Sequence, residues 1–142
     1  MQASTVLVEA YLQKGYHCAE AALLAACDAW GSPLPLGYER LMAGFAGGMG
    51  MEGLCGTIVG CAAAISYYCT AYPQFTKKEI KDLVGRFVRF VEAALQSIEC
   101  KDLKPRFMNI HTGCSTAVVH IMKLLDAFVQ EEPKYFKESE QV

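Results

Sequence analysis

Apolar residues recur at three- and four-residue spacing along most of the chain, and short glycine or proline turns separate the runs. Residues Ser4 to Lys14 form a first amphipathic helix with Leu7, Ala10 and Tyr11 on one side, ended by Gly15. A second helix runs from His17 to Trp30 and stops at Gly31-Ser32-Pro33-Leu34-Pro35. A third starts at Tyr38 and carries Leu41, Met42 and Phe45 at helical spacing. The stretch from Gly44 to Gly50 is too glycine-rich to hold a helix. Leu54 to Ala71 is apolar or small on every side, as in a helix surrounded by others, and Pro73 lies just beyond its end. Thr76 and Glu79 make a capping box for the next helix, which extends to Glu99. Its inward stripe is Ile80, Leu83, Val84, Phe87, Val91, Ala94, Leu95 and Ile98. Lys101 to His111, interrupted by Pro105, reads as a loop. The last helix runs from Gly113 to Gln130 with Val118, Ile121, Met122, Leu125 and Phe128 inward, and the charged tail from residue 133 is expected to fray.

No alternating strand pattern, repeat or linker interrupts this series. The expected fold is all-α: a compact multi-helix bundle of about six helices around the apolar fourth one, in a single domain of 142 residues. Hydrophobic residues at 53% and charged residues at 20% exclude a disordered chain. The net charge of −2, without a basic block, argues against nucleic-acid binding. The uncharged stretch Gly53 to Tyr72 is rich in small and hydroxyl residues, so it suits a buried helix better than a membrane span. Seven cysteines without a secretory leader point to a reducing, cytoplasmic setting.

The candidate chemistry lies in those cysteines. Cys18, Cys55 and Cys114 each follow a glycine-bearing turn and open a helical run, while Cys100 sits at a helix end. A thiol in the first turn of a helix lies at the positive end of the macrodipole, which favours the thiolate. By that criterion Cys100 lacks the advantage and suits a resolving thiol or a ligand better than an attacking group. At ~100° per residue, Cys27 faces away from Cys18 and Cys61 from Cys55, and Cys69 lies deep in the apolar helix. These three read as buried apolar residues. The other four form a candidate shared site, for thiol–disulfide cycling or for a metal. The sequence has no CxxC pair, CxxCH haem motif or zinc-finger spacing. Four thiolates converging from distant helices would still suit an iron–sulfur cluster or zinc.

His17 and His111 flank two of the cysteine turns and read as surface or capping residues; His120 has no assigned role. Glu52 reads as a helix-start carboxylate, and Met42, Met49 and Met51 as packing. Gly47-Gly48-Met49-Gly50 lacks a nucleotide-binding pattern and reads as a tight turn near the cysteines.

Gly15-Tyr16-His17-Cys18-Ala19-Glu20, Gly47-Gly48-Met49-Gly50, Cys55-Gly56-Thr57-Ile58-Val59-Gly60, Cys100 and Cys114, in this order, resemble the C_GCAxxG_C_C family of redox-active proteins. The resemblance implies redox activity and places the family's four cysteines on Cys18, Cys55, Cys100 and Cys114. Thr57 stands where the motif has alanine, and His17 where asparagine is common. The family is similar to part of a dimeric multihaem cytochrome, but the haem motifs are missing here. The expected function is therefore a redox protein with a four-cysteine site, expected to form a homodimer and to meet a redox partner. The alternatives are a non-catalytic helical module that binds metal or a small ligand, and a purely structural bundle.

Overall fold

In the computed structural model, residues 3–107 and 115–136 are described. Among them are six α-helices and no strand: α1 (Ser4–Gln13), α2 (Cys18–Ala29), α3 (Gly56–Thr70), α4 (Lys77–Leu95), α5 (Cys100–Phe107) and α6 (Ser115–Gln130). The all-α expectation holds. The third run is a helix of the tighter 3-10 type, Tyr38–Phe45. At three residues per turn its apolar positions no longer share one face. Met42 is buried while Leu41 is 78% exposed.

Two helices share the centre. α2 is alanine-rich and is buried from Ala21 through Cys27. It packs on α1, α3 and α6, and α3 packs in turn on α4 and α6. The α2–α3 contact is close because α3 offers glycines one turn apart. A Cβ on Gly60 would lie 2.4 Å from the Ala19 carbonyl oxygen and 3.0 Å from the Ala22 Cβ. A Cβ on Gly56 would lie 2.8 Å from the Cys18 sulfur. Residues four apart share a helix face, so Gly56 and Gly60 form one seam.

α1 has no side-chain cap of its own, since Ala3 occupies the N-cap position. The α6 residue Asp126 supplies the cap from across the fold. Its carboxylate accepts from the Ser4 and Thr5 amides at 2.9 and 3.2 Å and from both hydroxyls at 2.6 Å. This contact rotates α1 so that Ser4 and Val8 are buried and Ala10 is exposed, rather than Ala10 facing in.

The capping box of Thr76 and Glu79 forms as expected, and Ile80, Leu83, Phe87, Val91 and Leu95 are buried. α4 nevertheless ends at Leu95, not Glu99, and Ala94 is exposed. Gln96 takes a left-handed conformation there, at φ 67°. The supposed loop after it is α5. Leu103 anchors α5 at 2% exposure, and Arg106 donates to the Leu95 carbonyl at 2.5 Å. Pro105 falls near the end of this short helix, where tertiary contacts outweigh its missing amide.

The fraying expected from residue 133 does not begin there. Tyr135 and Phe136 are buried, and Phe136 packs on Trp30 and Tyr68. Lys134 pairs with Glu79 at 2.9 Å. Hydrogen bonding from Lys134 and from the Thr76 amide holds the Glu79 carboxyl down at about 2. The stabilisation from this depressed carboxyl is present above its ordinary range and is lost as pH falls toward about 2.

Three substitutions test this framework in thermal or denaturant unfolding. Gly60→Ala should destabilise by about 2 kcal/mol, because backbone lies where its Cβ must go. Gly85→Ala should stabilise by about 0.5–1 kcal/mol, because its Cβ meets only the movable end of Arg89. Asp126→Ala should cost about 2 kcal/mol through loss of the shared cap of α1.

Candidate functional site

The site is built where α2 and α3 both begin. Cys18 is the first residue of α2, and Cys55 is the N-cap of α3. The Cys18 sulfur lies over the first turn of α3, in the space left by the missing Cβ of Gly56. The Gly47 and Ala19 amides and the Thr57 hydroxyl lie near enough to favour its ionised form. The Cys55 thiol is near enough to oppose ionisation of Cys18.

The macrodipole argument predicts an acidic thiol at Cys18, and that expectation fails. Burial is the largest influence and raises the Cys18 thiol above its ordinary range; Cys55 adds to this, and the three donors offset only part of it. Cys18 is thus a half-buried thiol seated against α3 rather than a free surface thiolate.

Gly47 reaches Cys18 because the glycine turn is tightly wound. Gly47, Gly48, Met49, Gly50 and Glu52 all have φ between 56° and 70°. The Gly53 amide closes the turn on the Gly48 carbonyl at 3.1 Å. A Cβ on Gly48 would lie 2.4 Å from the Gly53 nitrogen. The tight turn expected near the cysteines is therefore present, as a left-handed loop over Gly48–Glu52.

Backbone pairing ties the segment around Cys100 to the segment before α3. Leu54 and Glu99 form an isolated antiparallel bridge. On either side of it, the Cys55 amide donates to the Ile98 carbonyl at 2.9 Å and the Cys100 amide to the Gly53 carbonyl at 2.6 Å. Strand alternation puts positions 55 and 100 on the same side of the bridge. Cys100 opens α5 instead of closing α4, so it too stands at a helix start, contrary to expectation. Cys114 and His111 lie outside the described residues.

Cys27, Cys61 and Cys69 are each 0% exposed, as helix phase predicts. The Cys61 thiol donates to the Met122 sulfur at 3.6 Å. Burial pushes the Cys27 and Cys69 thiols up to about 12. His17 is an exposed N-cap residue whose amide donates to the Glu20 carboxylate at 3.1 Å. The His120 ring lies tilted against Phe107, with ring centroids 5.4 Å apart. Glu52 does not act as a helix-start carboxylate for α3; it is exposed and pairs with Lys104 of α5 at 3.5 Å. Met42 packs inside, but Met49 and Met51 are 56% and 86% exposed, so two of the three methionines are not packing residues.

Helix phase and position single out the cysteines but miss their donors. The Gly47 amide depends on a left-handed turn that sequence spacing does not specify. Thr57 was detectable as a hydroxyl residue at the start of an otherwise apolar helix. Cys18, Cys27, Cys55, Cys61 and Cys69 are free thiols. Among the described residues no three His, Cys, Asp or Glu side chains are already gathered at metal-binding distance, and no helix is long and apolar enough to cross a membrane.

No curated protein and no solved structure matches the chain. A family model does, over residues 16–128, under the description "Putative redox-active protein (C_GCAxxG_C_C)". That match takes in Cys18, the glycine turn, Cys55, Cys100 and Cys114, which is well over half of the sequence. The chain belongs to the C_GCAxxG_C_C family of redox-active proteins.

Proposed function

We propose that this protein is an electron-transfer or redox module in which Cys18, Cys55, Cys100 and Cys114 are thiolate ligands of one iron–sulfur or other thiophilic metal centre. The observation that carries this reading is the half-buried Cys18 sulfur, seated at the start of α3 in the space left by Gly56 and near enough to Cys55 for that thiol to oppose its ionisation. Burial penalises a bare thiolate, and a bound cation removes that penalty while the donors remain useful. Hydrogen bonds to sulfur are also among the means by which a protein sets the potential of such a centre. The backbone bridge between the segments that carry Cys55 and Cys100 supports a site using more than two sulfurs. The donor set consists of soft thiols and suits iron–sulfur or zinc ligation. Bound there, an iron–sulfur centre would supply one-electron chemistry; this chain's residues would hold it, shield it and donate to its sulfurs.

A second reading rests on the nearness of Cys18 and Cys55. The two thiols would reduce a disulfide substrate to two thiols and become a disulfide themselves, with two protons and two electrons passing to the substrate.

For the assembly we propose a homodimer. Leu36, Leu41 and Met51 are 100%, 78% and 86% exposed, and apolar side chains so exposed favour contact with another protein surface. The net charge of −2 puts little repulsion between two copies.

Anaerobic purification followed by iron, zinc, sulfide and thiol analysis tests the reading. Stoichiometric iron with acid-labile sulfide is expected, with at least a tenfold loss of bound iron in Cys18→Ser and Cys55→Ser. Metal-free protein with a reversible two-electron thiol couple would replace this reading with the second. Stoichiometric zinc without a couple would make the protein a metal-binding module instead.

A further inference from the structure

Between the later turns of α1 and the first half of α6 lies a cleft of about 440 Å³, within the size range of small-molecule sites. Its walls are two helical faces. Glu9 and Gln13, one turn apart, come from α1; Thr116, His120 and Lys123, at i, i+4 and i+7, come from α6. Half-buried Val119 adds an apolar patch. The two helices run antiparallel, with Ser4 and Thr5 fixed to Asp126. At ~1.5 Å per residue this sets Glu9 level with residues 120–123 and Gln13 level with residues 116–119. One end of the cleft therefore has a carboxylate on one wall and an ammonium and an imidazole on the other. The other end is lined by the amide of Gln13 and the hydroxyls of Ser115 and Thr116. The Phe107 ring, 5.4 Å away, backs the His120 ring. Among the described residues neither Glu9 nor Lys123 is in an ion pair, so both charges are open to a ligand.

A ligand with a single charge would meet its own sign on one wall, whereas a zwitterion matches both walls. In a free α-amino acid the ammonium and the carboxylate flank one carbon, which suits a carboxylate and an ammonium set level on facing helices. In a peptide the two charges lie at opposite ends of the chain. We propose that this cleft binds a free α-amino acid with a polar side chain. Glu9 accepts from the ligand's ammonium, and Lys123 and His120 donate to its carboxylate. The ligand's side chain lies over Val119 toward Gln13, Ser115 and Thr116. Such binding does not depend on what the cysteines hold.

The test titrates the full chain with each proteinogenic amino acid in turn, to millimolar concentration, and follows backbone amide NMR shifts. At least one amino acid with a polar side chain should shift the amides around Glu9, Gln13 and residues 116–123 saturably. Its N-acetyl derivative, which lacks the ammonium, and its carboxamide, which lacks the carboxylate, should each bind about tenfold more weakly. Glu9→Gln and Lys123→Met should weaken binding by a similar factor, and both positions are exposed, so folding should be unaffected. Lys81→Met removes an exposed charge outside the cleft and should leave binding unchanged. Cleft amides that no amino acid shifts would overturn the proposal. So would binding that survives both N-acetylation and amidation, or dipeptides that bind more tightly than any free amino acid. Each of these results would leave the redox reading of the cysteines intact.

Discussion

The close approach of α2 to α3 is the constraint on which the site depends. It exists because Gly56 and Gly60 present no side chain to α2. At Gly60 the seam admits the backbone of Ala19; one turn earlier, at Gly56, it admits the sulfur of Cys18. The same packing that fuses the two central helices thus carries a thiol across to the start of α3. The glycines of the CGxxxG run do the work of placement, and the cysteines supply the chemistry.

The rest of the structure brings further groups to that point. The left-handed turn through Gly47–Gly50 brings the Gly47 amide near Cys18. The short bridge between Leu54 and Glu99 holds the start of α5 beside the start of α3. Glu52–Lys104 links the glycine turn to α5 at 3.5 Å, but the pair is partly exposed and contributes at most about 1 kcal/mol. Backbone pairing and close packing therefore outweigh surface charge in positioning the cysteines.

Much of the fold was legible in the sequence because its strongest signals are local. The Thr76–Glu79 capping box and the apolar stripe of α4 form as read, and α6 turns Val118, Ile121, Met122, Leu125 and Phe128 inward. The misread elements are those in which distant contacts override local preference. α5 forms despite Pro105 because Leu103 is buried and Arg106 caps α4. The segment to Phe136 is held by aromatic packing that its charged sequence conceals. At the site, helix phase separated Cys27, Cys61 and Cys69 from the rest, since phase is a local property. The acidity of Cys18 was misjudged because the dipole can be read from position in a helix, whereas burial depends on α3 and the glycine turn closing over the sulfur.

The central claim is that cysteines far apart in sequence serve one centre. Long-wavelength diffraction from crystals grown without air, phased on the anomalous signal of sulfur and any bound metal, addresses it most directly. The account predicts the sulfurs of Cys18, Cys55, Cys100 and Cys114 gathered around a single shared peak at the start of α3. Sulfurs of Cys100 and Cys114 pointing away from Cys18 and Cys55, with no peak between them, would contradict it.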